Sequence, residues 1–180
     1  MAANRLCPRE AWGLSKDIRM RLKPSDLTLE GGWLPAAVPA TLQRLCFSGG
    51  TFDAEEHLAG IAGLVSLTFD GCERESRIVY PSTLQSLTIL EEDPAFELEP
   101  STADLDLPSA LEVLDLQGST QFNQPLGKLP PHLKELHLGP AFMQELGDLP
   151  PGLQHLTLPV WYPHALAVPG STRATFTYDG

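Results

Sequence analysis

The chain has 180 residues, is 42% hydrophobic, and sets 23 acidic against 12 basic side chains for a net charge of -11. That size fits one domain or one compact repeat array, and no apolar run approaches the ~18 residues that span a bilayer. The excess of carboxylates opposes binding to phosphate backbones, so neither a membrane nor a nucleic acid is an expected partner.

The first 23 residues stand apart. They carry six bases and two acids, whereas residues 24–180 carry six bases and 21 acids. No apolar stretch followed by a small-residue cleavage site marks a signal peptide. Trp12, Leu14, Ile18 and Leu22 fall at loosely helical spacing. Residues 1–23 are therefore expected to be a basic cap segment whose residues 10–22 cover the Leu27–Leu29 strand, since a repeat array needs its open apolar end closed.

From residue 24 to 180 the chain repeats. Leu27 and Leu29 form a degenerate first copy; Val38-Pro39 leads Leu42, Leu45 and Phe47; Leu64, Leu67 and Phe69 come next; Pro81 leads Leu84, Leu87 and Ile89. Three copies then share the frame L-P-x-x-L-x-x-L-x-L: Leu107 to Leu116, Leu129 to Leu138, and Leu149 to Leu158. Phe176 and Tyr178 read as the anchors of a degenerate last copy. From Leu42 the starts step by 22, 20, 27, 22 and 20 residues, within the roughly 20–29 of leucine-rich repeats. The long copy holds an insert, residues 91–106, with seven acids and no base.

The frame has a physical reading. L-x-L puts two side chains on one face of a short strand, and the leucine three residues earlier marks the turn into it. Pro39, Pro81, Pro108, Pro130 and Pro150 lack an amide hydrogen and suit an extended entry segment outside the ladder. Phe52, Phe96, Phe122, Phe142 and Trp161 or Tyr162 supply a large apolar residue on five return legs, followed by Leu126, Leu146 and Leu166 in three of them. One copy cannot bury enough surface to fold alone, so the copies must stack. The expected fold is a leucine-rich-repeat-like solenoid: a parallel sheet of about eight short strands, with extended or 3-10 return segments and little helix apart from the N-terminal cap.

Phe122-Asn123-Gln124-Pro125-Leu126, followed by Leu129-Pro130 and Leu133-x-x-Leu136-x-Leu138-Gly139, resembles the FNIP repeat, a leucine-rich-repeat variant named for its Phe-Asn-x-Pro motif. The next copy keeps Phe142, Gln144 and Leu146, so the full motif occurs once. The proline-leucine frame is also similar to bacterial effector repeats, without their asparagine turn. The resemblance implies a recognition module, often beside an F-box or kinase domain, and no catalytic residues.

Equivalent positions of a parallel solenoid stack into rows about 4.8 Å apart. The central outward row reads Thr28, Cys46, Thr68, Thr88, Asp115, His137, Thr157, Thr177, and the row before it Asp26, Arg44, Ser66, Ser86, Val113, Glu135, His155, Thr175. Threonine suits an exposed sheet whatever its function. The second half, with Asp115, Glu135, His137, His155 and Thr157, is chemically richer, and Trp161 just beyond is of a type that anchors interfaces. These six are the candidate partner-binding residues. No HExxH, Walker A loop, GxGxxG or nucleophile elbow is present, and an open sheet face lacks walls that exclude water; no catalytic, metal or cofactor site is expected.

Cys7, Cys46 and Cys72 are odd in number and widely spaced, without a CxxC pair. They read as reduced structural thiols of a cytoplasmic protein. The expected function is a non-enzymatic scaffold presenting its sheet face to a protein partner. The alternative is the substrate-recognition arm of a ubiquitin ligase or kinase whose other domain lies outside this chain.

Overall fold

In the computed structural model, the described residues are 19–23, 25–30, 38, 40–52, 58, 61–74, 79–90 and 107–177. Each L-x-L segment becomes a strand because its alternate residues have an interior to enter. Nine strands result: β1 (Arg19–Lys23), β2 (Asp26–Glu30), β3 (Arg44–Phe52), β4 (Ser66–Arg74), β5 (Ser86–Leu90), β6 (Val113–Leu116), β7 (Glu135–Leu138), β8 (His155–Pro159) and β9 (Arg173–Thr177). They lie in one sheet in chain order. β2 to β9 are all parallel, and no helix occurs among the described residues. The chain is a repeat solenoid, as its periodicity requires.

Proline and leucine do separate work in each turn. The amides of Leu84, Leu111, Leu133 and Leu153 donate to the carbonyls of Pro81, Pro108, Pro130 and Pro150 at 3.0–3.2 Å. Each proline thus opens a β-turn, a correction to the extended entry expected for it. Pro131 and Pro151 stand at the second turn position, where a fixed φ is pre-set for the turn. Each turn also ties to the copy before it: Lys134 and Glu135 both donate to the Glu112 carbonyl, and Gln154 and His155 to that of Lys134, at 2.7–3.0 Å. The expected 3-10 segments are isolated turns and bends among the described residues.

The interior is built from three apolar rows. Leu42, Leu64, Leu84, Leu111, Leu133 and Leu153 enter from the turns; Leu27, Leu45, Leu67, Leu87, Leu114, Leu136 and Leu156 form the first strand row; Leu29, Phe47, Phe69, Ile89, Leu116, Leu138 and Leu158 form the second, and all are buried. Each contributes ~1.5–3 kcal/mol of apolar burial. On the return legs Phe122, Phe142 and Tyr162 stack with centroids 6.1 and 6.2 Å apart. Tyr162, not Trp161, takes the return-leg position. Its hydroxyl donates to the Gln144 carbonyl and accepts from the Leu146 amide, both at 3.0 Å. Asn123 of the Phe-Asn-x-Pro segment accepts from the Met143 amide through Oδ1 at 2.8 Å, so its side chain fixes the backbone of the next copy. Phe52 lies within β3; Phe96 and the acidic insert lie outside the described residues.

β3 and β4 run to nine residues because both turn one corner together. Ser48 pairs with Asp70 and Gly50 with Cys72, leaving Gly49 and Gly71 between the paired positions. Their φ values are +67° and +60°, which glycine adopts without the penalty a Cβ would bring.

Two expectations at the ends are corrected. Residues 19–23 of the expected helical cap form a strand antiparallel to β2, with Arg19 opposite Glu30 and Lys23 opposite Asp26. Alternation in Arg-Met-Arg-Leu-Lys gives two faces at period two, and a sheet edge rewards that period over the helical one. The earlier part of residues 1–23 lies outside the described residues. At the other end, Leu156 pairs with Ala174 and Leu158 with Phe176, so Ala174 and Phe176, not Phe176 and Tyr178, occupy the anchor positions.

Candidate functional site

The outward face of β6, β7 and β8 carries the richest chemistry among the described residues. Alternation puts Val113 and Asp115, Glu135 and His137, and His155 and Thr157 on the side opposite the leucines. The ladder then aligns Val113, Glu135 and His155 in one row and Asp115, His137 and Thr157 in the next. The observed register adds Arg173 and Thr175 to these rows, in place of Thr175 and Thr177.

Three of these side chains form a connected group. His137 Nδ1 lies 2.8 Å from Thr157 Oγ1, and Nε2 lies 3.4 Å from a Glu135 carboxylate oxygen. An ionised carboxylate can only accept, so Nε2 carries the proton and, in the neutral ring, Nδ1 accepts the Thr157 hydroxyl proton. The imidazole is therefore held in one orientation across two strands. Thr157 is only 8% exposed although it stands in an outward row.

The remaining candidates are placed differently. Asp115 is paired with His137 in register, and one of its carboxylate oxygens accepts from the Gln117 amide at 3.0 Å. His155 is exposed beside Glu135 in the first row. Trp161 lies off the rows, in the turn after β8 where the Tyr162 amide donates to the Pro159 carbonyl at 3.0 Å. It is 77% exposed, because Tyr162 has taken the interior position. Charge pairs join neighbouring copies, Arg44 with Asp26 between β3 and β2 and Lys134 with Glu112 just before β7 and β6, each at 2.7 Å.

Arg173 was missed as a surface residue of the last strand, and Phe176, expected as a buried anchor, is 55% exposed. Their signal is a spacing. Pro81, Pro108, Pro130 and Pro150 stand five residues before the first residue of their strands, whereas Pro169 stands four before Arg173. The approach to the last strand is one residue shorter than in those copies, and its anchors, Ala174 and Phe176, lie two residues before the pair expected.

Among the described residues, no group of three or more His, Cys, Asp or Glu side chains is placed to hold a metal ion, and no helix is long and apolar enough to cross a membrane. Cys46 occupies the outward row on β3 and Cys72 is buried on β4; both are free thiols. Burial pushes both thiols above the ordinary cysteine range, and at Cys46 the nearby Asp70 carboxylate adds to the rise. Such thiols are poor nucleophiles near neutral pH. No family model matches this chain, and no curated protein does either.

Proposed function

We propose that this protein is a non-enzymatic, leucine-rich-repeat-type recognition scaffold of the cytoplasm, which binds a protein partner through the outward face of β6 to β8. The FNIP resemblance of Phe122 to Leu126 agrees with that reading. The observation that carries it is the fixed His137 imidazole, bonded to Thr157 and Glu135 on adjacent strands. A polar group held in one geometry before binding loses little freedom on binding, which favours recognition. Asp115 and His155 flank it, and Trp161 offers an indole of the kind that anchors interfaces. An open sheet of this length can supply the ~800 Å² per partner of a standard interface.

The experiment is capture by the immobilised full chain from a lysate of its source, followed by identification of the retained proteins. A discrete protein should be retained by the wild type and lost, by roughly tenfold or more, with His137→Ala or Trp161→Ala, changes of ~1.4 kcal/mol or above in binding. Equal retention by both variants overturns the assignment of this face. Turnover of a small-molecule substrate that His137→Ala abolishes would replace it with an enzymatic reading.

A further inference from the structure

β9 ends the described sheet and pairs with β8 alone among the described residues. Four of its five residues are exposed. Phe176 is 55% exposed although its register partner Leu158 is fully buried. The interior row of Leu116, Leu138 and Leu158 thus closes on an aromatic ring with an open side. On its far side the backbone of β9 has no partner strand among the described residues. The Arg173 amide donates to Gln154 and the Thr177 carbonyl accepts from Val160, so residues 173, 175 and 177 direct their backbone groups toward the preceding copy. By strand alternation, the N–H and C=O of Ala174 and Phe176 point away from the array.

The two ends of the described sheet differ in charge. β1 carries Arg19, Arg21 and Lys23 among its five residues, and basic residues on an edge strand oppose addition of another strand. β9 has Arg173 alone. No acid stands between Asp148 and Asp179, the longest acid-free stretch of this acidic chain.

We propose that β9 is a self-association edge, on which a second copy of this chain lays its own β9 antiparallel about a two-fold axis through Thr175. Five residues centred on Thr175 define the register. Thr175 faces its own counterpart, Arg173 faces Thr177, and Ala174 faces Phe176. No like charges meet. The large ring stands opposite the smallest side chain of the strand, on the interior side, and the arrangement occurs twice by symmetry, as an isologous contact requires. The backbone groups of Ala174 and Phe176, which point outward, are the ones that this register pairs. Repulsion between the acidic bodies is weak at this edge. Glu135 is two strands in on β7, so two such residues would stand about five strand spacings, roughly 24 Å, apart, beyond the ~8 Å Debye length at physiological salt. One short edge buries less than a standard interface, so the dimer is concentration-dependent. This surface is separate from the outward face of β6 to β8 and does not depend on the function proposed for it.

The test is sedimentation equilibrium of the full chain from low micromolar to submillimolar concentration, with Thr175→Lys and Thr175→Glu as variants. Thr175 is exposed, and thermal unfolding at low concentration checks that both variants fold. The wild type should reach twice the chain mass. Each variant alone should dimerise roughly tenfold or more weakly, because like charges then stand directly opposite each other, and their equimolar mixture should recover a one-to-one dimer. Amide exchange at Ala174 and Phe176 should slow with rising concentration in the wild type only. A chain that stays monomeric throughout, including one that takes up a strand of another protein instead, overturns the proposal. So do variants that dimerise as the wild type does, or a mixture that fails to associate.

Discussion

Leu136 lies between Leu114 and Leu156 in the first interior row, fully buried and paired with both in register. Truncating it leaves a cavity with leucines above and below that are held by their own strands and cannot close it. Leu136→Ala should therefore destabilise the array by ~2–5 kcal/mol, read from urea titration followed by circular dichroism. A loss below ~1 kcal/mol would mean that the site collapses and the array is not packed as described. Leu136 is legible in the sequence because spacing and apolarity together name it. Thr157 is not. Its row reads as exposed, but it is buried, between His137, to which its hydroxyl bonds, and Thr175 on β9. Trp161 and Tyr162 are equally ambiguous in sequence. The choice between them falls to Tyr162, whose ring stacks on Phe142 while its hydroxyl finds the Leu146 amide and the Gln144 carbonyl. A tryptophan there would bring a donor but no acceptor.

At the level of elements, β2 to β8 were legible because each strand carries two large apolar anchors at one spacing, and a one-residue slip would turn both outward. β9 was misread because Arg-Ala-Thr-Phe-Thr-Tyr satisfies alternation with either Ala174 and Phe176 or Phe176 and Tyr178, and apolarity favours the second pair. The turn decides, since Thr172 donates through its amide to Pro169 and through its hydroxyl to Leu153. β1 was hidden for a related reason. A short segment with few apolar residues supports period two and a loose helical period alike, and only the open side of β2 selects between them. All five of its residues pair with β2. Deleting residues 1–23 should thus lower the urea midpoint and increase binding of a hydrophobic dye. The effect should persist in ~0.5 M salt, because backbone pairing is not screened as surface charges are. If salt abolishes the difference, the registered charges Arg19 with Glu30 and Lys23 with Asp26 carry the edge, and the backbone pairing contributes little.

Across the whole molecule, the net charge and the repeat were open to reading from the sequence, while the environments of the titrating groups were not, because they depend on which side of a strand faces a neighbour. Cys46 and Cys72 stand on adjacent strands at the corner made by Gly49 and Gly71, and Tyr162 closes the aromatic stack some five strands away. Burial raises the pKa of all three, at Tyr162 against the lowering effect of the Leu146 amide. The sign is the same for each. The fold favours the neutral, protonated form, so its contribution is fully present below the unfolded pKa and is lost as pH rises through the folded value. The unfolded thiols ionise near ~8.5 and the unfolded phenol near ~10. The urea midpoint should therefore be flat from about pH 7 to 8 and fall from about 8.5 upward, in two stages. Replacing both thiols, Cys46→Ala with Cys72→Ala, should remove the first stage and delay the fall until about pH 10, where Tyr162 takes over. The double variant will start from a lower midpoint, since Cys72 fills part of the core, so the comparison is of slopes against pH. Identical slopes in wild type and variant would show that the two thiols ionise as freely in the folded array as in the unfolded chain.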